Sequence, residues 1–318
     1  HPGWGEALFL KDVWPNTPLL SYQEFYYNPY GYDYDFDPEL QKTPDWEMCA
    51  RVRMKNAHLN LILEASSWNV TPTEFQKNSF PVHWKRQISA IHDGIDTKIA
   101  RPNPKVGNLK LRDGAILEKG EPIVTFVNRC IEPYRGCHTF IRSIPHIQKL
   151  NPKARIVIVG NETGVSYGKK SDKGEYKDIY ISEIKGKYNP EKVHFAGALQ
   201  YDKFLQLLQM SAAHVYLTYP FVLSWSLLEA MSTGCAIVGS NTGPVREVIE
   251  HGNNGLLVDF FKPKELAESV AKILEDKKLT RHLGTNARKT IEEDYSLERC
   301  LPRQLSLMEL VASRKLGT

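Results

Sequence analysis

The sequence predicts an α/β fold built from doubly wound parallel sheets, and three observations carry that prediction. In the second half, short β-branched runs alternate with helix-patterned segments, the signature of parallel βαβ units. The chain has 318 residues, 42% hydrophobic and 25% charged, enough for two domains each with its own core. Finally, the stretch 103–120 is rich in Pro, Gly and charge and reads as the linker between them.

The elements follow in order. Residues 1–102 form the first domain, with strands expected at 19–22, 59–63 (LNLIL) and 88–91; three strands are few, so this domain is expected to be incomplete. Residues 103–295 form the second. There IVTFVN at 123–128 reads as a buried strand, 139–150 as a helix containing Pro145, and RIVIV at 155–159 as the next strand. His194-Phe195 marks a third strand, followed by a helix at 203–210 and a strand at 214–218. A helix at 227–233 leads into the strand 236–239. Residues 264–276 then place Leu266, Val270, Ile273 and Leu274 at amphipathic helical spacing. Within the terminal segment 296–318, a helix over 301–312 tolerates Pro302 in its first turn and sets Leu301, Leu305, Met308 and Ala312 on one apolar face. In a doubly wound sheet the ligand lies beyond the carboxyl ends of the strands, so the residues after each strand are the ones to weigh.

Composition excludes several classes. Forty-one basic against 37 acidic residues give a net charge of +4, too small and dispersed to argue for nucleic acid. Five scattered cysteines without a C-x-x-C pair indicate neither a disulfide framework nor a zinc site, and fit a reducing cytoplasm. No apolar run approaches the roughly 18 to 20 residues that cross a bilayer, and no signal peptide is expected. GVSYGKKS at 164–171 imitates a phosphate-binding loop but has three residues between Gly and Gly-Lys where four are needed. G-x-G-x-x-G, G-x-S-x-G and H-E-x-x-H are absent. In YGYDYDFDPE, Asp33, Asp35 and Asp37 are spaced like cation ligands, yet Pro38 and Pro44 occupy positions where a calcium loop needs Gly and Glu. No metal is expected there.

Two constellations remain. In VNRCIEPYRG, Arg129 follows a strand and Arg135 opens the next helix, so two guanidiniums and a helix N-terminus converge as a diphosphate site would require. The other reading is two solvated loop charges. In FVLSWSLLEAMSTG, residues 224–228 start a helix with N–H groups directed at the same crevice, and Glu229 follows one turn in. Its carboxylate suits a ribose diol or, equally, a surface position.

Together with IHDGID at 91–96, ARIVIVG at 154–160, VHFAGAL at 193–199, LLEAMSTGCAIVGSNTGPVREVI at 227–249 and HGNNGLLVD at 251–259, these motifs resemble the family 4 retaining glycosyltransferases, also called glycosyl transferases group 1. The resemblance covers 88–295 and rests on the order and spacing of the series. It implies the GT-B fold, two Rossmann-like domains facing a cleft, with the carboxyl-terminal helix crossing back to the first. It implies transfer of a sugar from a nucleoside diphosphate sugar, UDP- or GDP-linked, to a glycan or lipid-linked acceptor hydroxyl with retention and without a bound metal or other cofactor. Arg129 and Arg135 would hold the diphosphate and act in catalysis, and Glu229 would bind the ribose. Gly136, Gly197, Leu199, Ser224, Trp225, Ser226 and Leu227 would line the donor. The family's first glutamate falls at Phe221, which leaves the donor hexose open.

On the acceptor side the resemblance calls for a polar residue after an early strand. Glu24 is the catalytic candidate, with His1, Gln23, Tyr26 and Tyr27 beside it. Six of the fifteen tyrosines lie between Tyr22 and Tyr34, so the aspartate-rich stretch reads as a sugar-facing loop or as a loop packed on its own rings. The family's Gly-rich loop, in the roughly ninety residues that would precede His1, has no counterpart here, and if this chain is the whole molecule it is expected to transfer sugar weakly or not at all. Cytoplasmic placement, with peripheral contact at the inner membrane face, fits such acceptors. Alternatives are a catalytically silent nucleotide-sugar-binding protein, or an epimerase or phosphorylase on the same fold.

Overall fold

A computed structural model of the protein describes residues 1–3 and 5–315. The chain divides into two units. One comprises His1–Gly94, Tyr219–Val222 and the described residues from Asp294 on; the other comprises Ile95–Thr218 and Leu223–Glu293.

The second unit contains a parallel sheet. Its strands are β6 (Ile123–Cys130), β7 (Arg155–Asn161), β8 (Val193–Gly197), β9 (Ala213–Tyr216), β10 (Ile237–Ser240) and β11 (Leu256–Val258), ordered β11-β10-β9-β6-β7-β8. Ile123, Val124, Phe126, Ile156, Val157, Ile158, Val215, Ile237 and Val238 are buried, as expected of strands covered on both faces. The helix Cys137–Leu150 packs on Pro263–Glu275, and Trp225–Ser232 on Lys277–Thr290. Phe126 stacks on Phe140 at 4.3 Å between ring centroids, which fixes the first of these helices to β6. From β6 the chain winds outward through β7 and β8, then returns to β6's other side for β9, β10 and β11. The strand order therefore reverses between β6 and β9, and that switch point is where a doubly wound sheet binds its ligand. The 103–120 stretch is more than a linker. It folds into an antiparallel hairpin, β4 (Leu109–Lys110) with β5 (Ile116–Leu117), turning at Gly114 with φ 88°.

In the first unit β1 (Leu20–Tyr22), β2 (Trp68–Thr71) and β3 (Ile88–Ala90) make a parallel sheet in that order. Residues 59–63, expected to be a strand, lie instead in the helix Ala57–Ala65, which buries Leu59, Ile62 and Leu63. Those three residues have the i, i+3, i+4 spacing of a helix face, which the alternation of Leu59, Leu61 and Leu63 matches equally well until the burial of Ile62 is known. The second strand is WNVT, which starts at Trp68, nine residues beyond the expected start at Leu59. Within it Asn69 is buried and accepts a hydrogen bond from Gln23 Nε2 at 3.1 Å.

The carboxyl-terminal helix runs Leu297–Ala312 and packs into this unit through Leu307 and Val311, which join Val70 and Ile91. The expected apolar face is therefore the wrong one: Leu301, Leu305 and Met308 are 45%, 50% and 50% exposed. Cys300, Gln304, Leu307 and Val311 have the same i, i+4, i+7, i+11 spacing, and Gln304 spends its polar end on the His92 carbonyl at 3.1 Å. Gly94, at φ 92°, lets the helix approach closely, since a Cβ there would lie 2.7 Å from Leu297 Cα. No described helix is long and apolar enough to cross a membrane.

Candidate functional site

The switch point assembles the site of the second unit. β6 ends in Arg129 and Cys130, and a short turn, Pro133–Arg135, leads into the helix that starts at Cys137. Gly136 joins them in the left-handed region at φ 70°, where a Cβ would meet Leu217 Cβ at 2.5 Å. Any side chain at 136 would thus push the turn away from the end of β9. Arg135 is buried and points across the switch: its Nη1 donates to Tyr216 Oη at 3.2 Å and to Thr218 Oγ1 at 2.7 Å. Arg129 is exposed. One guanidinium is locked in place and the other reaches solvent.

Tyr216 is the hub of this corner. Its buried hydroxyl accepts from Arg135 and also from the backbone N–H of Ser224 at 2.8 Å. Burial pushes its pKa up, so it stays a neutral phenol. Ser224 caps the helix Trp225–Ser232, its Oγ accepting from Ser226 N at 3.3 Å, while Leu227 N donates to Ser224 O at 3.3 Å. The N–H groups expected to be directed at the crevice at 224, 226 and 227 are therefore engaged inside the protein. The Ser224 cap takes the N–H of 226, the Tyr216 hydroxyl that of 224 and the first backbone turn that of 227. Trp225 is exposed beside them. Glu229, one turn in, is half-buried; burial raises its carboxyl pKa and the Tyr201 phenol opposes that rise. At the end of β8, Gly197 has φ 68° and would bring a Cβ within 3.1 Å of Arg112 Nη1; Leu199 is half-buried just beyond.

Glu132 went unnoticed in the sequence. It is 1% exposed, and its Oε2 accepts from the backbone N–H groups of Ser166 and Tyr167, the latter at 3.1 Å. Burial raises its pKa, opposed by those two N–H groups and by the charges of Arg135 and Arg129. Its tie to residues 166 and 167 spans more than thirty positions, and local pattern carries no signal of it.

The first unit places its candidates differently. Glu24 is largely exposed after β1, 3.8 Å from His1 Nε2, and the partial desolvation of its carboxyl, with the nearby Asp93 charge, raises its pKa. Asp93, from HDG, accepts the Tyr22 hydroxyl at 2.9 Å, so Tyr22, Glu24, Asp93 and His1 share the carboxyl edge of this sheet. Gln23 does not join them. It is buried, donating to Ser21 Oγ and Asn69 Oδ1 at 3.1 Å each, which corrects its assignment to the acceptor side. Tyr26 donates to Asn60 Oδ1 at 3.2 Å and packs on Phe80, and Lys55 Nζ lies 3.4 Å over the Tyr27 ring.

Phe221, expected at the donor, is buried with this unit's rings, 5.0 Å from Phe25 and 6.4 Å from Tyr27 between centroids. An aromatic side chain at 221 finds an apolar pocket that a glutamate could not enter without losing its hydration. The aspartate-rich loop is packed in the same way. Asp37 accepts the Tyr219 hydroxyl and Glu39 N, and Asp35 accepts Gly31 N at 2.9 and 3.0 Å. Their oxygens are occupied by their own surroundings. Among the described residues no cluster of three or more His, Cys, Asp or Glu is placed to hold a metal ion.

Two Rossmann-like α/β units define the GT-B class of fold. Residues 110–290 match the family described as Glycosyl transferases group 1, and residues 1–100 match the Glycosyl transferase family 4 group; the chain belongs to the glycosyltransferases of group 1. It is similar to spore coat protein SA of Bacillus subtilis, 24% identical over 271 residues, 83% of this chain and 70% of that one. It is also similar to N-acetyl-alpha-D-glucosaminyl L-malate synthase of Bacillus anthracis, 30% identical over 116 residues, 36% of this chain and 30% of that one. Among solved structures, Anabaena Alr3699/HepE in complex with UDP superimposes with a TM-score of 0.71 at 17% identity, covering 95% of this chain and 75% of that one. This chain thus matches only part of each relative's length.

Proposed function

We propose that the protein transfers a sugar from a nucleoside diphosphate sugar to a hydroxyl of a glycan or lipid-linked acceptor, with retention at the anomeric carbon and without a bound metal or other cofactor. The observation that carries the reading is the pair Arg129 and Arg135 at the β6/β9 switch point, one exposed and one held by Tyr216 and Thr218. As the sugar's bond to the diphosphate breaks, negative charge grows on the departing phosphate; the fixed guanidinium of Arg135 stabilises it without reorganising, and Arg129 adds its charge from the solvent side. One preset cation, Arg135, and one solvent-facing cation, Arg129, supply the positive charge that a bound divalent ion supplies elsewhere. Glu229 is the ribose ligand in this reading, and its role requires the charged carboxylate. Nucleotide binding should therefore weaken as pH falls through its raised pKa.

The UDP complex of the Anabaena neighbour supports uridine as the donor base. Glu24 is the acceptor-side residue of the proposal, supported by its exposure and by its polar neighbours Asp93 and His1. A peripheral contact with the membrane accompanies a lipid-linked acceptor. One observation favours a second reading, a nucleotide-sugar-binding protein without transfer: Phe221 stands where the family has a sugar-binding glutamate.

A thermal-shift panel of UDP, GDP, ADP and TDP sugars, with release of the nucleoside diphosphate followed in parallel, separates these. Transfer predicts stabilisation by one nucleotide series, loss of it in Arg129→Ala, and EDTA-insensitive release when an acceptor is supplied. Stabilisation without release would leave the binding protein, and stabilisation that survives Arg129→Ala would sink the donor site.

A further inference from the structure

We infer that Glu132 is a positioning residue for the donor diphosphate and that the loop 164–174, which it clamps, is part of the same site. The inference rests on the reading of Arg129 and Arg135 as diphosphate ligands. A carboxylate between two such arginines would compete with a phosphate for them unless its oxygens had other work. Glu132 is 1% exposed and spends Oε2 on the backbone N–H groups of Ser166 and Tyr167. It fastens the tip of the loop to the turn that carries Arg135.

The rest of the loop is built around that clamp. Gly164 N donates to Glu175 Oε2 at 2.8 Å and closes the loop's base, Ser166 Oγ donates to Cys130 Sγ at 3.2 Å, and the Tyr176 hydroxyl donates to Lys169 O at 2.7 Å. Gly168 has φ 79° and passes so near Tyr134 that a Cβ would stand 2.9 Å from its ring. The outcome is that the Tyr167 ring lies 5.3 Å from the Arg135 guanidinium and 6.2 Å from the Tyr134 ring. Arg135 is thus held by Tyr216 and Thr218 through hydrogen bonds and by Tyr167 through the face of an aromatic ring. A guanidinium fixed before the ligand arrives loses little rotamer entropy on binding, and its orientation toward the phosphate is preset. GVSYGKKS, although it lacks the spacing of a phosphate-binding loop, thereby acts on the phosphate through Arg135.

Glu132→Gln keeps the side chain's size and one acceptor but removes the charge; Tyr167→Leu removes the ring and leaves Glu132 alone. In the full chain, calorimetric titration with UDP and competition with UMP read the two variants beside Arg135→Ala. Each of Glu132→Gln and Tyr167→Leu should weaken UDP by about tenfold and UMP, which offers Arg135 one phosphate fewer, by less than about threefold. UDP affinity unchanged in both variants, while Arg135→Ala weakens it, overturns the positioning role and leaves the donor site standing. Equal losses for UDP and UMP overturn it too, since a loop that only stabilises the unit would not distinguish the phosphates. If Arg135→Ala itself leaves UDP unaffected, the reading beneath the inference falls first.

Discussion

The two units solve the same problem with different means. In the second, β6 to β11 bury almost continuous apolar runs, and strand order alone singles out the candidate site, at the reversal between β6 and β9. In the first, three short strands bury little by themselves, and the core is completed by segments from far along the chain: Leu307 and Val311 of the last helix, and Phe221 among the rings around Phe25. A unit whose core is local in sequence can be read from sequence. One completed by remote segments cannot, because nothing near β1 announces which helix face or which loop will cover it.

The largest effect that would break this comparison concerns the last helix. Leu307→Ala should destabilise the protein by about 2–5 kcal/mol, whereas Leu305→Ala, on the exposed face, should change stability by less than about 0.5 kcal/mol. Urea unfolding of the two variants measures both. Equal losses would mean that both apolar faces of the helix are covered and that the core of the first unit extends beyond Leu307 and Val311.

A somewhat smaller effect belongs to the sheet of the second unit. His214 is fully buried in β9, with Nδ1 2.9 Å from Thr125 Oγ1 and Nε2 without a hydrogen-bond partner among the described residues. Burial pushes its pKa down to about 3. The unfolded chain takes up this proton near pH 6.5 and the folded chain only near 3, so between those values the unfolded state binds more protons. The stability that His214 contributes is whole above pH ~6.5 and declines by about 1.4 kcal/mol per pH unit as acid is added, down to its folded pKa. His214→Gln should flatten that part of the stability profile, measured by denaturant midpoints from pH 7 to pH 4. A variant with an unchanged slope would show that the histidine is charged or solvated in the folded protein.

What was legible in the sequence, and what was not, divides along the same line. The strands at 123–128, 155–159 and 236–239 were expected within a residue or two of β6, β7 and β10 because parallel strands covered on both faces need uninterrupted β-branched residues. LNLIL was misread because five residues fit a period of two and a period of 3.6 equally well, and only the burial of Ile62 decides. The hairpin of β4 and β5 escaped since each strand is two residues long. In the last helix, two stripes share one spacing, and the contacts to Val70 and Ile91 choose between them. Arg129 and Arg135 could be singled out by their place after a strand. Glu132, Tyr167 and Tyr216 could not, since each gains its part from a partner thirty to eighty residues away.

The central claim is that the second unit binds a nucleoside diphosphate at the β6/β9 switch through Arg129 and Arg135. Calorimetric titration of UDP into the protein and into Arg129→Ala tests it most directly. The account predicts saturable binding to the protein and an affinity lower by about tenfold or more in the variant, the worth of one charge-assisted contact to phosphate. Equal affinities in the two proteins would contradict it.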